Sequence, residues 1–181
     1  RKGLAEREDA DLTGMLPYAE YGRLADVRSA FEAASTELLS WPAVLPGGET
    51  IERPEMDQIR ARLDEYSAST TALLGEPGAG KSALLATIGN VYAKRGWPVL
   101  AIKADLLDAD IASEDDLRAR LGFDALPSEF VARLAAYGPV LLLVDQLDAL
   151  AQHLDVRTGR LSILLNLIRK LSGRDNVHIV L

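Results

Sequence analysis

The chain has no cysteine, which excludes disulfide staples and thiolate metal sites and is compatible with a reducing compartment. It has two histidines, His153 and His178, which stand alone and read as a surface residue and a strand residue rather than as catalytic groups. No run of 18 or more apolar residues occurs, and Arg1, Lys2, Gly3 and Leu4 do not begin the apolar stretch of a signal peptide. Basic charge is in the minority, with 20 Lys and Arg against 27 Asp and Glu and a net charge of -7. A surface built for nonspecific binding to a nucleic-acid backbone is therefore not indicated. These absences lead to the expectation of a cytoplasmic protein with no membrane segment. The first residue is not methionine, which suggests a piece of a longer chain.

What is present suffices for one domain with a core: 181 residues, 48% of them hydrophobic. Residues 1–22 are charged and interrupted by Gly14, Pro17 and Gly22, as in a linker. Leu24, Val27, Phe31, Ala34 and Leu38 then make one helical apolar stripe that ends near Trp41 and Pro42. Residues 1–50 are thus expected to be a helical N-terminal extension. A second helix is expected from Pro54, turning Met56, Ile59, Leu63 and Tyr66 inward. Arg53 stands at its entrance, either as an exposed charge of the capping region or as a nucleotide-proximal group.

The densest chemical signal is Gly75, Glu76, Pro77, Gly78, Ala79, Gly80, Lys81 and Ser82, with Ala83 following. It matches G-x-x-x-x-G-K-[ST] at every fixed position, a match expected by chance in about one chain of this length in a hundred. The glycines let successive backbone N–H groups turn inward around a phosphate. Lys81 supplies a point charge for terminal phosphates, and Ser82 a hydroxyl for a magnesium ion. The motif needs a strand before it and a helix after it. Residues 70–74 read as the strand, and Leu84, Leu85, Ile88, Val91 and Tyr92 recur at helical spacing until Gly96.

Residues 98–102 read as the next strand, ending at Lys103, Ala104 and Asp105. Asp105, Asp108, Asp110, Glu114, Asp115 and Asp116 fit no calcium-loop spacing and read as a solvated face. Ser113 and Asp116 resemble a capping box. A helix over 128–137 should bury Phe130, Val131 and Leu134, and one over 161–171 should bury Leu164, Leu165, Ile168 and Leu171. Between them, residues 140–144 form a continuous apolar run typical of a strand buried on both faces of a parallel sheet. Asp145 ends that run, where open α/β sheets bind ligands. It either caps the next segment or holds magnesium beside Ser82, and the phosphate loop upstream favours the metal. Asp148 either polarises an attacking water or caps a helix. Residues 177–181 read as a last strand.

Residues 51–181 resemble the STAND class of P-loop NTPases, the signal-transducing relatives of AAA ATPases that include NACHT and NB-ARC proteins. The resemblance rests on Arg53, Pro54 and Glu55 before a helix, on the loop 75–82, and on Leu141, Leu142, Leu143, Val144, Asp145, Gln146, Leu147 and Asp148, which look like the class's Walker B segment. Gln146 replaces its usual small residue, and Ala149 stands where a second acid would be. The resemblance implies a three-layer α/β P-loop NTPase core, C-terminally truncated, with the 177–181 strand between the phosphate-loop strand and the Asp145 strand. It implies ATP and Mg2+ as cofactors, with Lys81, Asp145 and Asp148 as the catalytic set and Ser82 and Asp145 on the metal. The function so implied is a slow ATPase switch in a larger signalling or defence protein, partnered by self-association or by effector and sensor domains of the same chain. The alternatives are an AAA or RecA-like motor acting on DNA or protein, and a scaffold that binds ATP without hydrolysing it. Absence of an Asn-Lys-x-Asp motif favours adenine over guanine.

Overall fold

The computed structural model describes residues 18–42, 54–76, 78–152 and 159–181. Arg53, Pro77 and His153 lie outside them, as do residues 1–17 of the expected lead-in 1–22 and the glycine-containing loop before Arg53, while residues 18–22 of that lead-in are helical rather than linker. The elements run α1 (Tyr18–Leu39), α2 (Pro54–Glu65), β1 (Ser69–Thr71), α3 (Lys81–Lys94), β2 (Val99–Lys103), α4 (Glu114–Leu121), α5 (Pro127–Ala135), β3 (Val140–Asp145), α6 (Leu147–Gln152), α7 (Arg160–Leu171) and β4 (Val177–Val180). Among the described residues this is an α/β fold of seven α-helices and one four-stranded sheet, all parallel, in the order β1-β4-β3-β2. The last strand is indeed inserted between β1 and β3.

Side-chain alternation along the strands divides the core in two. Val140, Leu142, Val144, Val177 and Ile179 face a cluster with Leu117 of α4, Phe130 and Leu134 of α5 and Leu164, Leu167 and Leu171 of α7. Leu141, Leu143, Val99, Ala101 and Val180 face Ile59 and Leu63 of α2 and Leu84, Leu85, Ile88 and Tyr92 of α3. Helices thus cover both faces, the arrangement a fully buried parallel sheet requires, and it is compatible with three layers. Helix α1 contributes to both clusters, through Phe31 to the first and Leu38 to the second. Phe31 stacks on Phe123 at 5.3 Å between ring centres.

Local signals formed as read where the chemistry was local. Ser113 caps α4, its Oγ accepting from Asp116 N–H at 3.1 Å while the Asp116 carboxylate accepts from Ser113 Oγ and Ala112 N–H. Those hydrogen bonds hold the Asp116 carboxyl below the usual carboxylate range. Three readings differ from the structure. Leu74 is 95% exposed rather than part of the strand, because β1 spans only Ser69–Thr71 and its ladder with β4 closes at Leu73 N–H to Leu181 O. Tyr66 is 60% exposed, since α2 ends at Glu65 and the chain must turn at once toward β1. Leu165 is 49% exposed, because α7 turns Ile163 and Leu167 inward beside Leu164, Ile168 and Leu171, leaving position 165 on the outer side.

Candidate functional site

Four parallel strands share one C-terminal edge, and both sequence signals lie along it. Thr71 of β1 and Leu143 of β3 both pair with Val180, so Asp145 stands level with Leu73, where the chain leaves β1 for the glycine-rich loop. Two strand spacings, about 10 Å, separate β1 from β3.

The loop ends at Gly80, the N-cap of α3, whose φ of 76° lies in the left-handed region. Gly78 adopts φ 81°, and the two positive values are conformations that side-chain-bearing residues avoid. Lys81 and Ser82 open the helix, with no acidic residue in the first turn and no side-chain cap. The first-turn amides have no intrahelical acceptor and no side-chain cap, the arrangement in which a helix start can take an anion. Lys81 Nζ donates to Gly75 O at 2.6 Å and to Glu76 O at 3.4 Å, which folds the ammonium back over the loop. Ala79 N–H closes the same turn on Glu76 O at 3.1 Å. Ala83 follows in the first turn, its carbonyl accepting from Thr87 Oγ1.

Asp145 is the last residue of β3 and only 3% exposed. Its Oδ2 is buried with no hydrogen-bond partner among the described residues. A carboxylate so placed costs several kcal/mol unless an opposite charge offsets the lost hydration. The opposite charge is Lys103, the last residue of β2 and Asp145's register partner, whose Nζ stands 3.8 Å from Oδ2. Lys103 also meets Asp105 Oδ1 at 3.3 Å and lies over the Trp41 ring at 4.5 Å. Gln146 completes the cluster when its amide is assigned the orientation that satisfies both neighbours, with the oxygen 3.0 Å from Lys103 Nζ and the nitrogen 3.2 Å from Asp105 Oδ2. Its φ of 60° is left-handed, which costs on the order of 1 kcal/mol for a residue other than glycine.

Asp148 is exposed in the first turn of α6. His178 is a buried strand residue, as read from the sequence. The acidic run 105–116 brings no metal cage together, and no group of three or more Asp, Glu, His or Cys side chains placed to hold an ion occurs among the described residues. Sequence reasoning passed over Lys103 and Trp41. The available signal was a lysine directly ending an apolar strand, as Asp145 ends the neighbouring one.

No described helix is long and apolar enough to cross a membrane. No protein-family model matches the chain, and no curated protein aligns with it significantly.

Proposed function

We propose that the chain is an ATP–Mg-binding P-loop NTPase domain of the STAND kind, working in the cytoplasm as a nucleotide-controlled switch within a larger signalling or defence protein. The observation that carries the reading is the setting of the motif. A G-x-x-x-x-G-K-S loop leaves a parallel strand and delivers its lysine to the start of α3 with left-handed glycines at Gly78 and Gly80. Residues 75–83 would wrap the phosphates, chiefly through the amides of Gly80, Lys81 and Ser82 and the Lys81 ammonium, with Ala79 N–H exchanging its bond to Glu76 O for the phosphate. Ser82 and Asp145 would hold magnesium, which when bound supplies charge to the β- and γ-phosphates. The donor set suits that ion, since magnesium keeps several waters and takes only one or two protein oxygens. The orphaned Oδ2 of Asp145 is such an oxygen. Arg53 would stand near the nucleotide, and the partners would be other copies or further domains of the same longer chain.

One observation favours a second reading, a scaffold that binds ATP without turning it over. Gln146, next to the metal aspartate, is committed to Lys103 and Asp105, and Asp148 is exposed in α6. A motor ATPase needs a strong acidic base beside that aspartate, so this cluster supports it least.

ATP titration of the chain and of Lys81→Ala tests the assignment. Affinity should fall at least about tenfold in the variant. The thermal midpoint should hold, because among the described residues the lysine's hydrogen bonds go to carbonyls of the exposed loop. Unchanged affinity would sink the reading. Steady-state hydrolysis of the wild type beside Asp148→Ala then separates switch from scaffold: slow turnover lost in the variant marks the switch, and none in either marks the scaffold.

A further inference from the structure

Lys103 and Asp145 are each 3% exposed at the side chain, and their 3.8 Å separation is within Coulomb range but too long for a hydrogen bond. Oδ2 consequently has a counter-charge but no donor. The lysine head has three contacts that do not involve Asp145: Asp105 Oδ1, the Gln146 amide oxygen and the Trp41 ring. In the amide orientation that satisfies both neighbours, Gln146 also donates to Asp105 Oδ2, so carboxylate and amide brace each other as one receptor for the ammonium. The left-handed backbone of Gln146 is the local strain accepted to aim that amide. Two carboxylates face one ammonium, which leaves the cluster one negative charge in excess.

Resting on the nucleotide site proposed above, we infer that Lys103 is a resident counter-cation of Asp145 that must give up the carboxylate before Asp145 takes a magnesium ion. Asp105, Gln146 and Trp41 retain the lysine head when it does. The pair sets the magnesium dependence of nucleotide binding: Lys103 keeps the buried carboxylate compensated without the metal and competes for it when the metal arrives. A methionine at 103 fills similar volume with no charge. It removes the competitor and at the same time leaves Asp145 uncompensated until a cation is supplied.

Calorimetric titration with ATP, in magnesium and in EDTA, tests this on the wild-type chain and Lys103→Met. Magnesium should raise wild-type affinity by less than about threefold and that of the variant by about tenfold or more. The variant's thermal midpoint should fall in EDTA and recover toward wild type with magnesium and ATP. An equal magnesium effect in the two proteins, with ATP still bound, overturns the inference and leaves the nucleotide reading standing. Absence of ATP binding to the wild type in either buffer removes the nucleotide reading and this inference with it. If Lys103→Met does not fold, wild-type tryptophan emission decides. Magnesium added to the ATP-bound chain should shift the Trp41 emission, and Trp41→Phe, which keeps Trp97 packed against Tyr92, should abolish the shift. An unchanged wild-type spectrum at saturating magnesium overturns the displacement.

Discussion

Individual side chains in this fold carry their chemistry in groups assembled from distant segments. His178, second residue of β4, is buried with Nδ1 2.9 Å from Ser69 Oγ and its ring 5.2 Å from that of Trp97. Burial pushes its pKa below the ordinary 6.5, and the charge of Asp64 restores only part of the difference. Asp64 itself accepts from the Tyr92 hydroxyl and pairs with Arg95. The Tyr92 phenol, buried and bound to Asp64, is pushed up to about 12 and stays protonated. For His178 the folded state binds its proton less readily than the unfolded chain. Stability from this group is therefore complete above about pH 6.5 and declines as the pH falls from there toward the lower folded value. Thermal midpoints between pH 7.5 and 5.5 should drop in the wild type and drop less in His178→Gln. Parallel curves would show that His178 is not the group responsible.

At the level of elements, α3 joins the glycine-rich loop to the core, and its closeness to the sheet depends on Gly89. A Cβ there would run into Leu39 Cδ2 of α1 and stand 2.8 Å from Leu143 Cδ1 of β3. By intrinsic propensity alone, alanine in a helix interior is about 1 kcal/mol better than glycine. Overpacking a full core costs about 1–3 kcal/mol, and Leu143 is completely buried, so the clash should win. Gly89→Ala is expected to lower the urea midpoint with an unchanged denaturant slope. A variant more stable than wild type would show that Leu39 and Leu143 move aside freely.

The molecule as a whole has one open-faced problem, the two edges of a four-stranded parallel sheet. At the β2 edge α1 solves it. Ser35, fully buried on that helix, donates to Val99 O at 3.0 Å and accepts from Ala101 N–H at 2.9 Å, as a neighbouring strand would. Ser35→Ala leaves a buried carbonyl and a buried N–H unpaired, and should cost about 1–3 kcal/mol for the loss of donor and acceptor together. Chemical denaturation measures it; a change under a few tenths of a kcal/mol would mean that water reaches the β2 edge. The opposite edge is β1, beyond which Leu74 is almost wholly exposed. The glycine-rich loop thus springs from the least covered strand of the sheet, and the buried Asp145 from one paired on both sides.

The amino-acid order alone reveals what depends on neighbours a few residues apart. Helical stripes, the apolar run of β3, the Ser113 cap and the glycine-lysine-serine loop are all of this kind. The position of Asp145 at a strand end belongs with them, because an apolar run and its polar terminator are contiguous. The limits of β1 and the exposure of Leu74, Tyr66 and Leu165 were not legible, since they depend on where a partner strand stops and which way a helix is rolled. Nor was the pairing of Lys103 with Asp145, the Ser35 bridge or the crowding at Gly89. Each arises from inter-strand register or helix placement, which is set by packing between segments far apart in the chain and leaves no local period to read. Tertiary structure therefore decided the electrostatic partner of Asp145, a carboxylate that the sequence had already singled out.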